Sequence, residues 1–442
     1  LEGANNAKVC VETLGPLESS QRVTFTYIDT GQELASGDLL FQNRVLDRDR
    51  PMEEVVAEVN LSRQLGIHNL TIGTFNSYTS AGDDNWIWNY LGDFRNAPRM
   101  VGLSYTDRVT GELTSFSTGG FINGSQTSNR HHSMRKTAFY LADQIAGSNY
   151  SLDVGIRVEN AKGFISRETG IGSNTFQKGE VEATDFTIAL AGLYELSERT
   201  NIYLNASRGY FFPEIRSAQF SSPGKTLSYE PETIIQAEGG VKYGASNLSA
   251  NLAAYFVTLQ DRRTVDFVND GSGGVIENIE NQDTRTIGIE ASASYFIASG
   301  LNAYGNITLQ QHELTKNETD PSLEGNWLRR QPRVMGMIGI AYDANNIDAN
   351  LSSNFIGRKF ANTSNTAELD GYGIVRLDAG YTVDLGPTES LRLGLSVFNL
   401  LDTDGVTEGS PRQGNAQIGG GEFFVGRPIL PRRLFLRATF NF

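Results

Sequence analysis

Residues 434–442 read LFLRATFNF, and they decide the fold. Leu434, Leu436, Ala438, Phe440 and Phe442 fall on one side of an extended chain, while Phe435, Arg437, Thr439 and Asn441 fall on the other. Side chains of a strand alternate between its two faces, so this is a period of two with one apolar face. The segment before it repeats the code, with Leu391, Leu393, Leu395 and Val397 set against Arg392, Gly394 and Ser396. So does the one before that, where Val375, Leu377, Ala379, Tyr381 and Val383 alternate with Arg376, Asp378, Gly380, Thr382 and Asp384. The second face is too polar for a soluble core, yet one strand with one wet face also suits a sandwich. The ensemble of strands separates the two.

Working back from the C-terminus, about sixteen stretches are long enough, at roughly ten residues or more, to cross a bilayer as tilted strands. They lie near 21–30, 52–64, 67–80, 135–146, 149–161, 183–197, 200–212, 233–244, 248–263, 284–298, 301–314, 332–343, 347–358, 371–385, 390–402 and 432–442. Tight turns fall at Gln64 to Gly66, Gly147 to Asn149, Ser197 to Arg199, Gly244 to Asn247, Ser299 to Gly300, Ala344 to Asn346 and Gly386 to Glu389. Long connections fill 31–51, 81–134, 162–182, 213–231, 264–283, 315–330, 359–370 and 403–431. Strict alternation of short and long connections is the habit of a bacterial membrane barrel, with short turns on the periplasmic side and long loops outside. The sequence therefore predicts an all-β fold, a transmembrane antiparallel up-and-down β-barrel.

Membrane barrels carry aromatic girdles at their interfaces. Tyr194, Tyr243, Tyr295, Tyr342 and Tyr381 all sit near the short-turn ends of strands, and all share the apolar face. Random placement would turn about half of them inward, because faces alternate.

Composition agrees. The 442 residues show no Pro/Ser-rich linker or shift of composition, so 1–442 is read as one barrel domain. A net charge of -14 excludes a basic nucleic-acid surface. Asp83, Asp84, Asp93, Glu318, Asp320 and Glu324 lie in the expected loops and read as a solvated, lipopolysaccharide-facing rim. No run of apolar residues is long enough for a membrane helix, which leaves a barrel open. Cys10 is the only cysteine, so neither a disulfide framework nor a thiolate metal cluster is expected. The chain starts at Leu1 without a leader, although a barrel must be exported, so the start is expected to be processed or cut. Ala7 to Leu14 adds part of a further downward strand, suggesting a chain that begins mid-barrel.

Several stretches resemble the C-terminal half of the TonB-dependent outer-membrane receptors, mostly over 130–442. In AFYLADQIAGSNYSLDVGIRVE, Asp143, Gly155, Arg157 and Glu159 follow the family's strand, turn and Gly-x-Arg strand. IYLNASRGYFFPEI carries Ser207, Gly209, Tyr210 and Pro213, and YEPETIIQAEGGVKY carries Pro231, Glu232, Glu238, Gly240 and Lys242. Gly288 and Glu290 follow in TIGIEASASY, and Asn399, Leu400 and Asp402 match the Asn-Leu-aromatic-Asp box, with Leu401 in place of its aromatic. Residues 1–130 match in strand rhythm alone. The resemblance implies a Gram-negative outer-membrane receptor, about 22 strands when complete, whose upstream chain supplies a signal peptide, a plug domain and a TonB-contacting segment. It also implies energised uptake of a scarce ligand, a ferric siderophore, cobalamin or an oligosaccharide.

Asp153, Arg157, Glu238, Lys242 and Glu290 all face inward on the alternating pattern, where charges on neighbouring strands can pair across the ladder and line a wet lumen. In the family that wall packs against the plug. The ligand-binding candidates lie elsewhere, in the loop 81–134: Trp86, Trp88 and Tyr90 alternate, and with Phe94 and Arg95 they offer an aromatic platform with a charged partner. A second reading makes the same stretch a short helix or hairpin packed over the barrel mouth. Aromatics with acids favour an oligosaccharide over an anionic siderophore.

No metal or cofactor is expected. His131 and His132 are sequence neighbours that point apart on a strand, with no third ligand evident, and are read as exposed loop histidines. The glycines of EGSPRQGNAQIGGGEFFVG lack a following Gly-Lys-Ser/Thr and read as flexible loop. His68, His131, His132 and His312 form no catalytic signature, which argues against an enzyme. The main alternative is a complete 16-stranded passive diffusion porin, since that strand number leaves an open channel. A surface-exposed barrel enzyme or adhesin comes third.

Overall fold

The alternation is realised almost strand for strand. The computed structural model describes residues 21–34, 41–93, 99–107, 109–115, 120–212, 220–222, 225–226, 230–269, 275–413 and 422–442. Within them one fifteen-stranded sheet runs as an antiparallel meander. In chain order it comprises β1 (Met52–Leu65), β2 (His68–Gly82), β3 (Arg130–Ala146), β4 (Tyr150–Glu168) and β5 (Phe176–Ser197). Next come β6 (Thr200–Phe211), β7 (Glu232–Gly244), β8 (Leu248–Asn269), β9 (Val275–Ala298) and β10 (Leu301–Asn317). The meander closes with β11 (Val334–Ala344), β12 (Ile347–Ile356), β13 (Tyr372–Asp384), β14 (Ser390–Phe398) and β15 (Arg433–Asn441). Every one of these strands, and each of the seven tight turns, falls where the sequence places it. Gly66 and Gly300 adopt φ of 64° and 76°, the left-handed conformation that a short connection requires. Among the described residues β1 and β15 are the sheet's two edges and do not pair with each other.

One expected barrel strand is placed differently. Gln21–Tyr27 is a strand, but it pairs with Arg99–Asp107 in a separate six-stranded sheet. There Phe25 and Tyr27 join Leu91, Val101 and Leu103 in a buried cluster. Period two announces one apolar face; it does not say whether lipid or a small core covers that face. The expected strand over Ala7 to Leu14 lies outside the described residues.

The apolar face of the meander is bare from strand to strand. Ile72, Phe139, Ile156, Ile188, Leu204, Leu252, Ile289, Leu309, Ile340, Leu351 and Leu393 are all exposed. A continuous apolar band on this scale belongs against hydrocarbon, where the ladder also satisfies the backbone N–H and C=O groups that lipid cannot. Tyr194, Tyr243, Tyr295 and Tyr381 stand exposed on this face at its short-turn end, and Tyr342 is half-buried.

The inner face is knitted by tyrosines lying across glycines. Tyr140, Tyr203, Tyr255 and Tyr304 each cover the glycine opposite them in register, Gly73, Gly240, Gly288 and Gly339, leaving no room there for a Cβ. Three of the hydroxyls reach on to the next strand but one. Tyr140 donates to Glu58 at 2.7 Å, Tyr255 to Gln310 at 2.9 Å and Tyr304 to Asn350 at 2.7 Å. Each ring covers bare glycine backbone and ties three strands together, an aromatic rescue of a weak strand position.

The expected long loops contain much hydrogen-bonded strand. Most of 162–182 is ladder, since β4 and β5 stay paired up to Glu168 and Phe176. Over 264–283, β8 and β9 likewise stay paired up to Asn269 and Val275. The stretch 81–134 supplies Asp84–Asp93, Arg99–Asp107, Leu113–Ser115 and Phe121–Ser128 to the six-stranded sheet, completed by Gln21–Tyr27 and Phe41–Asp49. This sheet grows directly out of the wall: Asp49 pairs with Asp84 just beyond the Met52–Ala81 pair of β1 and β2. The break between them is pinned by an ion pair, Arg50 Nε to Asp83 Oδ1 at 2.5 Å.

Candidate functional site

The polar side of the wall carries the five charged residues singled out by sequence. Asp153 and Arg157 alternate on β4 with the exposed Val154, Ile156 and Val158, and so face the opposite way. Glu238 and Lys242 on β7 and Glu290 on β9 have the same relation to Val241 and Ile289. Their partners differ from the expected cross-ladder charge pairs. Arg157 pairs with Glu159 two residues along its own strand, and its guanidinium lies 4.9 Å from the Phe75 ring centroid. Lys242 sits 4.8 Å from the centroid of Tyr203, whose hydroxyl lies beside Glu238. Strand register explains this: Lys242 stands opposite Asn251 on one side and Asn201 on the other, so no carboxylate is in line with it. Glu238 and Glu290 line one recess of about 230 Å3 with Asn205, Gln236 and Tyr255.

Trp86, Trp88 and Tyr90 occupy one face of Asp84–Asp93, as their spacing requires. The stretch is strand and not helix, paired with Phe41–Asp49, Arg99–Asp107 and Phe121–Ser128. Phe121 on the adjoining strand completes the surface, edge-on to Trp88 at 5.9 Å and to Tyr90 at 6.1 Å between centroids. Trp88 remains exposed at 38%. Phe121 carries no signal in a single sequence, because its role depends on strand register. Phe94 and Arg95 lie outside the described residues.

The acidic rim needs correction at three positions. Asp83 is buried against Arg50, and Asp93 is buried and accepts a hydrogen bond from the Tyr27 hydroxyl at 2.7 Å. Partial burial, followed by the nearby Asp49 carboxylate, raises the Asp84 pKa. Glu318, Asp320 and Glu324 are exposed. His131 and His132 lie on β3 rather than in a loop, with His131 exposed.

Sequence reasoning missed a second aromatic centre at Trp327. Its ring meets His312 at 5.8 Å and Phe360 at 5.4 Å, with the Arg333 guanidinium 3.7 Å from its centroid. The backbone N–H of Trp327 donates to Asn365 Oδ1 at 2.7 Å, and Asn365 Nδ2 donates back to the Trp327 carbonyl at 3.0 Å. Arg330 then pairs with Glu408 at 2.6 Å. The connections 315–330, 359–370 and 403–431 are thereby joined in one cap. His312 is fully buried and accepts the Leu328 N–H at Nδ1, 3.1 Å away. Burial, reinforced by the Arg333 charge, lowers its pKa.

An antiparallel meander with a bare apolar band outside, a polar face inside and short turns at one end alone is the wall of an outer-membrane barrel. The chain belongs to the TonB-dependent receptor family: the family model described as TonB dependent receptor-like, beta-barrel, matches residues 17–400. The family is one of transporters and receptors in the Gram-negative outer membrane.

Among solved structures, the chain is similar to the unliganded ferric citrate transporter FecA, at 18% identity and a TM-score of 0.58, over 89% of this chain and 62% of that one. It is similar to the ferric-catecholate import receptor Fiu from E. coli K12, at 18% identity and a TM-score of 0.59, over 89% of this chain and 55% of that one. It is also similar to the ferric yersiniabactin uptake receptor FyuA from Yersinia pestis, at 13% identity and a TM-score of 0.56, over 96% of this chain and 68% of that one. At these identities the likeness is one of fold. The chain spans 62% and 55% of the length of the first two.

Proposed function

We propose that this chain forms the barrel wall and outer surface of an energised receptor that takes up a scarce ligand: a ferric siderophore, cobalamin or an oligosaccharide. The observation that carries the reading is the wet, charged inner face built on a family-matched barrel. In this reading the complete barrel has about 22 strands, and Asp153, Arg157, Glu238, Lys242 and Glu290 face a plug that the TonB complex remodels. Ligand is caught on the aromatic face of Trp86, Trp88 and Tyr90, with Phe94 and Arg95 as further candidates on the sequence alone. The outer rim meets lipopolysaccharide. Names of the structural neighbours weigh towards a ferric chelate within this set, since the three compared above are named for ferric ligands.

The test uses the full-length protein in its host. Cells are given 55Fe-loaded chelates and labelled maltodextrins, with and without a working TonB system, and the purified protein is placed in a planar bilayer. Saturable uptake that vanishes without TonB, together with a nearly closed bilayer trace, is expected. A steadily open pore with TonB-independent uptake would replace this reading by a passive porin.

A further inference from the structure

The last three strands carry a different charge from the rest of the inner face. We propose that β13, β14 and β15 form a binding niche for a small anionic solute bearing carboxylate or phosphate groups. A cavity of about 510 Å3 opens here, lined by Arg376, Asp378, Arg392, Phe398, Phe435 and Arg437. That is the size of a small-molecule pocket. Gly394 and Ser396 form part of its floor and carry little or no side chain.

Two of the three arginines are already engaged. Arg376 holds Asp378 in a two-pronged grip, Nε to Oδ2 at 2.6 Å and Nη2 to Oδ1 at 2.9 Å, and its guanidinium lies 4.1 Å from the Phe398 centroid. Arg392 holds Asp348. Arg437, opposite Gly394 at the middle of β15, has no side-chain partner among the described residues. Arg437 alternates with the exposed Leu434, Leu436 and Phe440, so its guanidinium stands on the polar inner face and its donors are open to a solute. Its planar fork of donors matches carboxylate and phosphate. Phe398 and Phe435, edge-on at 5.8 Å, give an apolar shelf beside it. A positive niche in a chain of net charge -14 also sets the sign of the solute it retains.

The niche needs the barrel wall and not energised uptake, so equilibrium binding tests it separately from the proposed function. Full-length protein in detergent is titrated calorimetrically with propane-1,2,3-tricarboxylate, with inorganic phosphate and with uncharged glycerol. One saturable site for at least one of the two anions and none for glycerol is expected, and the stronger anion identifies the preferred group. Arg437→Gln should weaken binding at least tenfold, and Arg376→Gln should weaken it in a protein that keeps β15 unaltered. Folding of each variant is checked by its heat-dependent migration in SDS gels. No saturable binding of either anion to the wild type, or equal affinity in folded Arg437→Gln, overturns the proposal.

Discussion

Arg392 and Asp348 meet across an intervening strand, directly above Gly380. Nη2 lies 2.6 Å from Oδ2 and Nε 3.1 Å from Oδ1, so β14 is fastened to β12 over the top of β13. Any Cβ at position 380 would collide with both partners. The ion pair thus repeats with charges what the tyrosines do with rings, and in both cases a glycine makes the crossing possible.

Both side chains of this pair are about two-fifths exposed, at 40% and 39%. Screening therefore limits the pair to about 1 kcal/mol or less. Arg392→Ala should lower stability by that amount, whereas Gly380→Val, which displaces both groups and overpacks the site, should cost about 1–3 kcal/mol. Urea unfolding in detergent or lipid measures both. Equal costs would mean that the crossing over Gly380 does not matter.

The assignment of inside and outside is testable with adjacent residues. Ile338 is exposed at 64% on the apolar face, and Met337 points to the other side. Ile338→Arg should cost about 2–4 kcal/mol if it sits near the midplane, with a much smaller cost for Met337→Arg. Insertion yield and unfolding midpoint report the difference. The reverse order would turn the sheet inside out.

His312 lies beyond the apolar row of β10, which ends at the exposed Leu309 and gives way to Gln311. Its folded pKa is depressed below the usual 6.5, so the unfolded chain binds the extra proton first. The stability it contributes is present above pH 6.5 and is lost as pH falls below that value through the lower folded pKa. With Trp86 and Trp88 replaced by Phe, emission from Trp327 should shift to the red on acidification as the cap loosens beside Arg333. His312→Gln should flatten the response. An unchanged pH profile in that variant would assign the transition to other groups.

On the outer sheet, Trp88→Ala removes the exposed ring of the Trp88, Phe121 and Tyr90 surface while leaving the buried cluster of Phe25, Leu91 and Val101 in place. Ligand affinity in uptake assays should fall about tenfold or more, in the range of an aromatic hot spot, with heat-dependent gel migration unchanged. Full affinity in the variant would remove the aromatic face from the ligand path.

Fifteen strands were legible because lipid demands the same period-two code over ten residues each time, and because turns of a few residues leave little freedom of register. Gln21–Tyr27 was misassigned for the same reason, since Phe25 and Tyr27 write that code equally well when covered by Leu103 and Val101. The faces of Glu238, Lys242 and Glu290 could be read from parity. Their partners could not: whether Lys242 meets a carboxylate or the Tyr203 ring depends on the register between β6 and β7. Trp86, Trp88 and Tyr90 declared a shared face by spacing, while Phe121 and Trp327 became visible only once distant segments were brought together.

The β4–β5 ladder continues unbroken to Glu168 and Phe176 and is tied sideways just ahead of β3, where Asn129 donates to Glu168 at 3.0 Å. Its 19-residue first arm is about 60 Å long at a strand's usual rise, against about 30 Å of hydrocarbon. Even at a steep tilt, much of this hairpin is a stiff parapet above the membrane. In the proposed receptor, a ligand arriving there meets a surface whose backbone is already paired as ladder. Little conformational entropy is then lost on capture, so selectivity can reside in shape as much as in strength of contact.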